Sequence, residues 1–201
     1  MNRKRLIHTL RLWTVRNSSR RAKYLKDHHV FASMGDYCTI QDRTVPLYAN
    51  LIRLGNNVHL AADVHLIVHD VAHCVLMFRE ENREKRERFR EHMDCIEIGD
   101  NVFVGSHSTI LGGVKIGNNV IVGGMSLVNR DVPDNSVVAG VPARVIGTFD
   151  AFMEKRRQET ARLEGIYPVG QEIRPEMAER LWTAFHEKRE KREGEKTAGS
   201  D

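Results

Sequence analysis

The stretch LIVHDVAH at residues 66–73 sets two imidazoles and a carboxylate, His69, Asp70 and His73, within five consecutive positions. An imidazole takes and releases a proton near neutral pH, so such a cluster is suited to acid–base work. Asp70 either holds the ring of His69 or faces a break in the core. His65, His69 and His73 also follow one another at four-residue spacing, which on a helix would suggest metal ligands. In a β-coil the same spacing does not converge three rings. His107, in VGSHST, has no such neighbours and reads as a structural or rim residue.

The elements that must hold these residues follow from a six-residue rhythm. Ile98, Val104, Ile110, Ile116, Val122 and Val128 recur without a slip. Four residues after each comes Val102, Ser108, Val114, Val120, Ser126 or Val132, small or β-branched every time. A period of six would smear the aliphatics around an α-helix. It fits a solenoid with three flat faces, each hexapeptide supplying one short strand and one corner. The aliphatic points inward and the small residue packs beside it. Gly, Asn and Asp, as in IGDN and IGNN, are expected at corners that need positive φ.

Around this rhythm the chain divides into a helical segment at 1–30, a solenoid at 31–148 and C-terminal helices from 149, with a disordered tail from Gly194. Leu6, Leu10, Trp13, Tyr24 and Leu25 mark one or two N-terminal helices, and Pro175 suits the first turn of the last helix. The repeat starts near Met34, Cys38 takes an inward position, and the rhythm is interrupted at Pro46–Leu51. It resumes through Leu54, Val58, Leu60, Val64 and Leu66. Residues 71–95, with REENREKRERFREH, break it again. An insertion cannot enter a stack of coils, so it leaves as a loop, often on a binding face. His69 lies at its origin, three residues past inward Leu66, and is expected at an outward corner.

Composition narrows the function classes. In 201 residues, 41% hydrophobic content allows one core-forming domain. No apolar run is long enough for a membrane span or a signal peptide. Three cysteines (Cys38, Cys74, Cys95) without a CxxC pair point to a reducing, cytoplasmic setting. The formal net charge is +4, with a basic start (Arg3, Lys4, Arg5, Arg20, Arg21, Lys23). No aromatic platform or binding motif accompanies it, so nucleic acid is not the expected partner. Anionic small molecules or an anionic membrane are milder candidates. The mixed-sign runs EKRRQE and EKREKREGEK read as solvated helix.

The segment IGDNVFVGSHSTILGGVKIGNNVIVGGMSLVNRDVPDNSVVAGVPARVIG resembles the terminal coils of the hexapeptide-repeat acyltransferases, specifically the sugar O-acetyltransferase and xenobiotic acetyltransferase branch. KYLKDHHVF and NLIRLGNNVHLAADVHLIVHD resemble members found with bacterial polysaccharide genes. The resemblance covers roughly 30–148. It implies a mainly β fold, a left-handed parallel β-helix with N- and C-terminal helices and a protruding loop. The handedness comes from the family alone, since the general rule for parallel crossovers is right-handed.

The resemblance also implies acyl transfer from acetyl-CoA to a hydroxyl, without a metal, in a homotrimer with sites between subunits. His69 matches the family's catalytic histidine before the loop, with Asp70 beside it where relatives often have proline. His73 is a second catalytic or acceptor-side candidate. Ser106 and Gly124 match positions along the pantetheine groove. Asn129 and Arg130 stand where relatives often carry Thr-Lys. Arg144, in GVPARV, matches a basic residue near the nucleotide phosphates, and Gly147 stands where some relatives have another arginine. YANLIRLG offers no carboxylate matching the sugar-orienting residue of some relatives. A saccharide or glycan precursor is the expected acceptor class, with serine, an antibiotic hydroxyl or an amino-sugar amine as alternatives. The rival readings are a γ-carbonic-anhydrase-like metal enzyme and a non-catalytic scaffold on the same coil.

Overall fold

The computed structural model describes residues 3–81, 83–86, 88–162 and 172–198. The chain forms two units, 1–153 and 154–201. In the first, α1 (Arg3–Thr14) and α2 (Ser18–Asp27) precede the coil. Asn17 caps α2, its Oδ1 accepting from the backbone N–H groups of Ser19 and Arg20. Arg21 leaves the basic surface patch expected of it and is buried. Its guanidinium donates to the carbonyls of Val15, Arg16, Ile40 and Gln41, tying α2 to the first coil. Five planar donors facing four carbonyls make this arginine a structural clasp.

The coil then winds through three faces in turn. The first turn supplies β1 (Ser33–Met34) and β2 (Thr39–Ile40). The second supplies β3 (Ile52–Leu54), β4 (Val58–Leu60) and β5 (His65–Ile67). An excursion follows, with β6 (His69–Asp70), α3 (Ala72–Arg79), α4 (Arg83–Arg86) and β7 (His92–Met93). The third turn is β8 (Ile96–Ile98), β9 (Val102–Val104) and β10 (Thr109–Leu111). The fourth is β11 (Lys115–Ile116), β12 (Val120–Val122) and β13 (Leu127–Val128). Last come β14 (Ser136–Gly140) and its antiparallel return β15 (Ala143–Thr148). The first face stacks β1, β3, β8 and β11; the second β2, β4, β9, β12 and β14; the third β5, β10 and β13. Pairing within these stacks is parallel and in register, as Val58↔Val102 and Val102↔Val120 illustrate.

All twelve residues of the two six-residue series are buried. Each aliphatic contributes roughly 1.5–3 kcal/mol by leaving water. Cys38 is buried with them, and burial raises its thiol above the usual range. The corners depart from expectation in one respect. Positive φ belongs to Asn57, Asn101, Asn119, His107 and Met125, each two residues after the glycine of its corner, and to Asn135, two residues after Pro133. Asparagine tolerates that region through local hydrogen bonding, and the amides ladder between turns, Asn57 Nδ2 to Asn101 Oδ1 and Asn101 Nδ2 to Asn119 Oδ1, each 3.0 Å. Gly113, at φ 84°, meets the expectation, while Gly55, Gly99, Gly105 and Gly117 serve close approach. A Cβ on Gly105 would lie 2.4 Å from the Gly124 nitrogen, whereas one on Gly147 would meet nothing within 4 Å. Gly105→Ala is therefore expected to cost roughly 1–3 kcal/mol through overpacking, and Gly147→Ala to leave the melting temperature within a degree or so, as calorimetry would read.

Beyond β15, α5 covers Phe149–Arg162 and α6 covers Pro175–Ala198. Pro175 opens the last helix as expected. The tail expected to be unstructured from Gly194 is helical as far as Ala198. Its Lys, Glu and Ala are good helix formers, and one glycine costs only about 1 kcal/mol against them.

Candidate active site

The excursion leaves the coil where the third face ends. Val68 is buried, and its carbonyl accepts from the Asp94 N–H at 2.9 Å, closing the root. Between these two residues β6 and β7 pair antiparallel, His69 opposite Met93 and Asp70 opposite His92. The insertion therefore spans 69–93 rather than 71–95, and His69 is its first strand residue rather than an outward corner. The half-buried ring is 24% exposed. A hexapeptide count carries no information once the chain has left the coil, so a strand at His69 was not expected.

Two residues not singled out from the sequence surround it. Tyr48 sits at a corner of the preceding turn with φ 54°, and its ring meets that of His69 edge-on at 5.3 Å. Its hydroxyl donates to Glu91 Oε2 at 3.0 Å, and this bond raises the phenol above its usual range. Glu91, just before β7, brings Oε1 to 4.0 Å from His69 Nε2, an ion-pair distance too long for a hydrogen bond. His69 Nδ1 is buried with no hydrogen-bond partner. One ring nitrogen thus faces a carboxylate and the other is unengaged. The signal for Glu91 was its charge-dense segment, which resembles ordinary solvated sequence; nothing marked Tyr48.

Asp70 turns away from the imidazole. Its Oδ1 accepts from the Ala72 N–H at 2.8 Å and so starts α3. His73 lies in α3, with Nδ1 buried and unpartnered and Nε2 3.5 Å from the Cys74 sulfur. His65 faces outward on the third face. Among the described residues no three His, Cys, Asp or Glu side chains group as metal ligands, so His65, His69 and His73 do not come together within one chain. His107 is exposed at its corner, 3.7 Å from Asp63. A pocket of about 280 Å³ reaches His69 past Arg5, Asp42, Val45, Pro46 and Ile67. Burial raises the Asp42 carboxyl there, while it accepts from the Asp63 and Val64 N–H groups.

The other expected residues occupy two edges of the coil. Ser106 and Gly124 stack at successive corners between the second and third faces, the Ser106 carbonyl accepting from Met125 N–H at 2.8 Å. A Cβ on Gly124 would press on the Ser106 oxygen at 3.2 Å. The β14–β15 hairpin caps this edge, as Gly140 N–H donates to Ser126 Oγ. Arg144 is exposed on it. Asn129 and Arg130, both exposed, follow β13 at the opposite edge of the third face, the edge from which the excursion springs.

Residues 95–130 match the family model described as bacterial transferase hexapeptide (six repeats). These turns are similar to bacterial transferase hexapeptide repeats. The chain carrying these hexapeptide repeats is 41% identical over 97 residues to the galactoside O-acetyltransferase of Escherichia coli (strain K12), covering 47% of this chain and 43% of that one. It is 43% identical over 105 residues to protein CapG of Staphylococcus aureus, covering 52% and 57%. The match thus spans about half the length of these curated relatives. Among solved structures, a galactoside acetyltransferase in complex with coenzyme A aligns with 75% of this chain and 83% of its own, at 26% identity and a TM-score of 0.47.

Proposed function

We propose that this chain is a CoA-dependent O-acetyltransferase that moves an acetyl group from acetyl-CoA to a hydroxyl of a saccharide or glycan precursor. The observation that carries the reading is His69: a half-buried imidazole with an unengaged Nδ1, faced by Glu91, on hexapeptide repeats similar to those of a galactoside O-acetyltransferase. His69 takes the hydroxyl proton as the oxygen attacks the thioester carbonyl; the C–S bond then breaks and the imidazolium returns the proton to the departing sulfur. Glu91 meets the positive charge that develops on the ring, and Tyr48 holds Glu91 in that position. No covalent enzyme intermediate is needed. The coil is left-handed in this reading, and the setting cytoplasmic.

The donor runs along Ser106 and Gly124, whose small side chains admit the pantetheine arm, toward Arg144; Asn129 and Arg130 contribute from the other edge. Because His69 and the Ser106–Gly124 column lie on opposite edges of the third face, one chain does not bring them together. A homotrimer, with one subunit's edge against the next, supports a complete site. Ile67, Leu111 and Leu127, apolar on the outer side of that third face, suit such a contact. Release of CoA from acetyl-CoA in the presence of a panel of saccharides tests the activity, and light scattering tests the assembly. Acetyl-CoA binding with no saccharide ever acetylated would remove the catalytic reading, and an active monomer would remove the trimer.

Arg144 and Gly147 test the donor side. Arg144→Ala is expected to raise the acetyl-CoA KM roughly tenfold with kcat within a few-fold, the pattern of lost uniform binding. Gly147 has open space around it. Gly147→Arg should therefore fold normally and lower that KM, and an unchanged value would take the β15 strand out of the phosphate region.

A further inference from the structure

Helix α1 is turned the wrong way round for a helix that merely packs on its own domain. Its inward side is the more polar one: Arg5 Nε donates to the Val45 carbonyl, His8 Nδ1 lies 2.9 Å from the Tyr24 hydroxyl, and Thr9 Oγ1 accepts from Val45 N–H, with Leu12 the one buried apolar residue. Leu6, Ile7, Leu10 and Trp13, spaced i, i+1, i+4 and i+7, form a continuous stripe on the other side and are 38%, 54%, 59% and 60% exposed. Arg43 braces the base of this stripe, donating to the Trp13 carbonyl at 2.9 Å with its guanidinium 5.8 Å over the indole.

Charge identifies what the stripe meets. Residues 1–26 contain nine lysines and arginines and not one aspartate or glutamate. Arg3 and Arg11 are exposed on α1 beside the apolar side chains, and Arg16 in the linker and Arg20 on α2 extend the cationic surface, whereas Lys23 is paired with Asp27. A second copy of this chain laying the same patch against its own would bring cation against cation. A lipid surface with anionic headgroups offers the complement to both parts: hydrocarbon for Leu6, Ile7, Leu10 and Trp13, and negative charge for the arginines, whose stems reach back to the headgroups. Among the described residues no helix is long and apolar enough to cross a membrane, which leaves adsorption in the plane of the interface.

We propose that α1 is a docking helix for an anionic membrane surface. Arg5, on the inner side of the same helix, lines the pocket that reaches His69, so α1 stands between that pocket and the lipid. The surface stands whether or not His69 is a catalytic base, and its test reads no activity.

The full chain, as Trp182→Phe so that Trp13 is the single tryptophan, is mixed with vesicles of phosphatidylcholine containing phosphatidylglycerol and with phosphatidylcholine alone. Co-sedimentation and a blue shift of Trp13 emission are expected with the anionic vesicles and not with the neutral ones. Raising salt from about 0.1 to about 0.5 M should weaken the binding, because screening shortens the reach of the cations. The double variant Ile7→Glu/Leu10→Glu, changing two exposed side chains, should keep its melting temperature and its oligomeric mass and lose vesicle affinity by roughly tenfold or more. No binding to anionic vesicles overturns the proposal, as does undiminished binding by the double variant. A double variant that drops to a smaller mass in light scattering also overturns it, since a second copy would then be what covers the stripe.

Discussion

Replacing His69 with asparagine is expected to lower kcat by roughly 10²–10⁴-fold, the usual worth of a general base. The backbone at 69 is extended and paired with Met93, so asparagine leaves the β6–β7 root intact. Acetyl-CoA affinity should hardly change, because Ser106, Gly124 and Arg144 lie along a different edge of the coil. Steady-state kinetics on the purified protein, with equilibrium binding of CoA in parallel, separates the two quantities. His73→Asn is the control: its ring also has an unpartnered Nδ1, yet it lies in α3, away from the Tyr48–Glu91 pair. A collapse at His73 with tolerance at His69 would transfer the base to α3.

Glu91→Gln is the second large effect. Glutamine fills the same volume and still accepts from the Tyr48 hydroxyl, but it no longer meets a charged ring. The expected loss is about 10–100-fold in kcat, the scale for groups that orient and stabilise a functional histidine, with KM for both substrates nearly unchanged. Tyr48→Phe removes the bond that aims Glu91 and should give a smaller loss in the same parameter. Asp70→Asn is the discriminating comparison, because an asparagine oxygen also accepts from the Ala72 N–H. It should keep activity within a few-fold. Equal losses at Asp70 and Glu91 would return the orienting role to Asp70.

The coil was legible in the sequence because each inward position answers to one local rule, an aliphatic every sixth residue, and the rule holds from Ile98 to Val128. Its corners were half legible. Glycine and asparagine were both visible there, but only the stacked backbones show that Gly105 keeps the turns close while Asn101 and His107 carry the positive φ. The sequence offered Asp70 as the companion of His69, whereas Tyr48 and Glu91 are the residues beside that ring. Asp70 is adjacent in sequence, and adjacency on a strand sends side chains to opposite sides. Glu91 is 22 residues away and reaches His69 only because β7 returns beside β6. Tyr48 arrives from the turn beneath. Such neighbours are products of pairing across the excursion, which no local pattern encodes. The inverted α1 escaped for a related reason: its spacing was recognised, but which side faced inward depended on Val45 and Tyr24.

The root of the excursion also bears on how the chain closes. Corner asparagines pair across 18 residues between the third and fourth turns, but across 44 between the second and third, where the excursion intervenes. Loop-closure entropy grows only with the logarithm of length, so the longer span adds about 0.8 kcal/mol to that one seam. The register across it is as regular as elsewhere, Ile52↔Ile96 and Leu54↔Ile98. Lengthening or exchanging the segment between Asp70 and His92 is therefore nearly free for the stack, while it rebuilds everything above His69. Insertions and deletions there can reshape the surroundings of His69 with the windings on either side left unaltered.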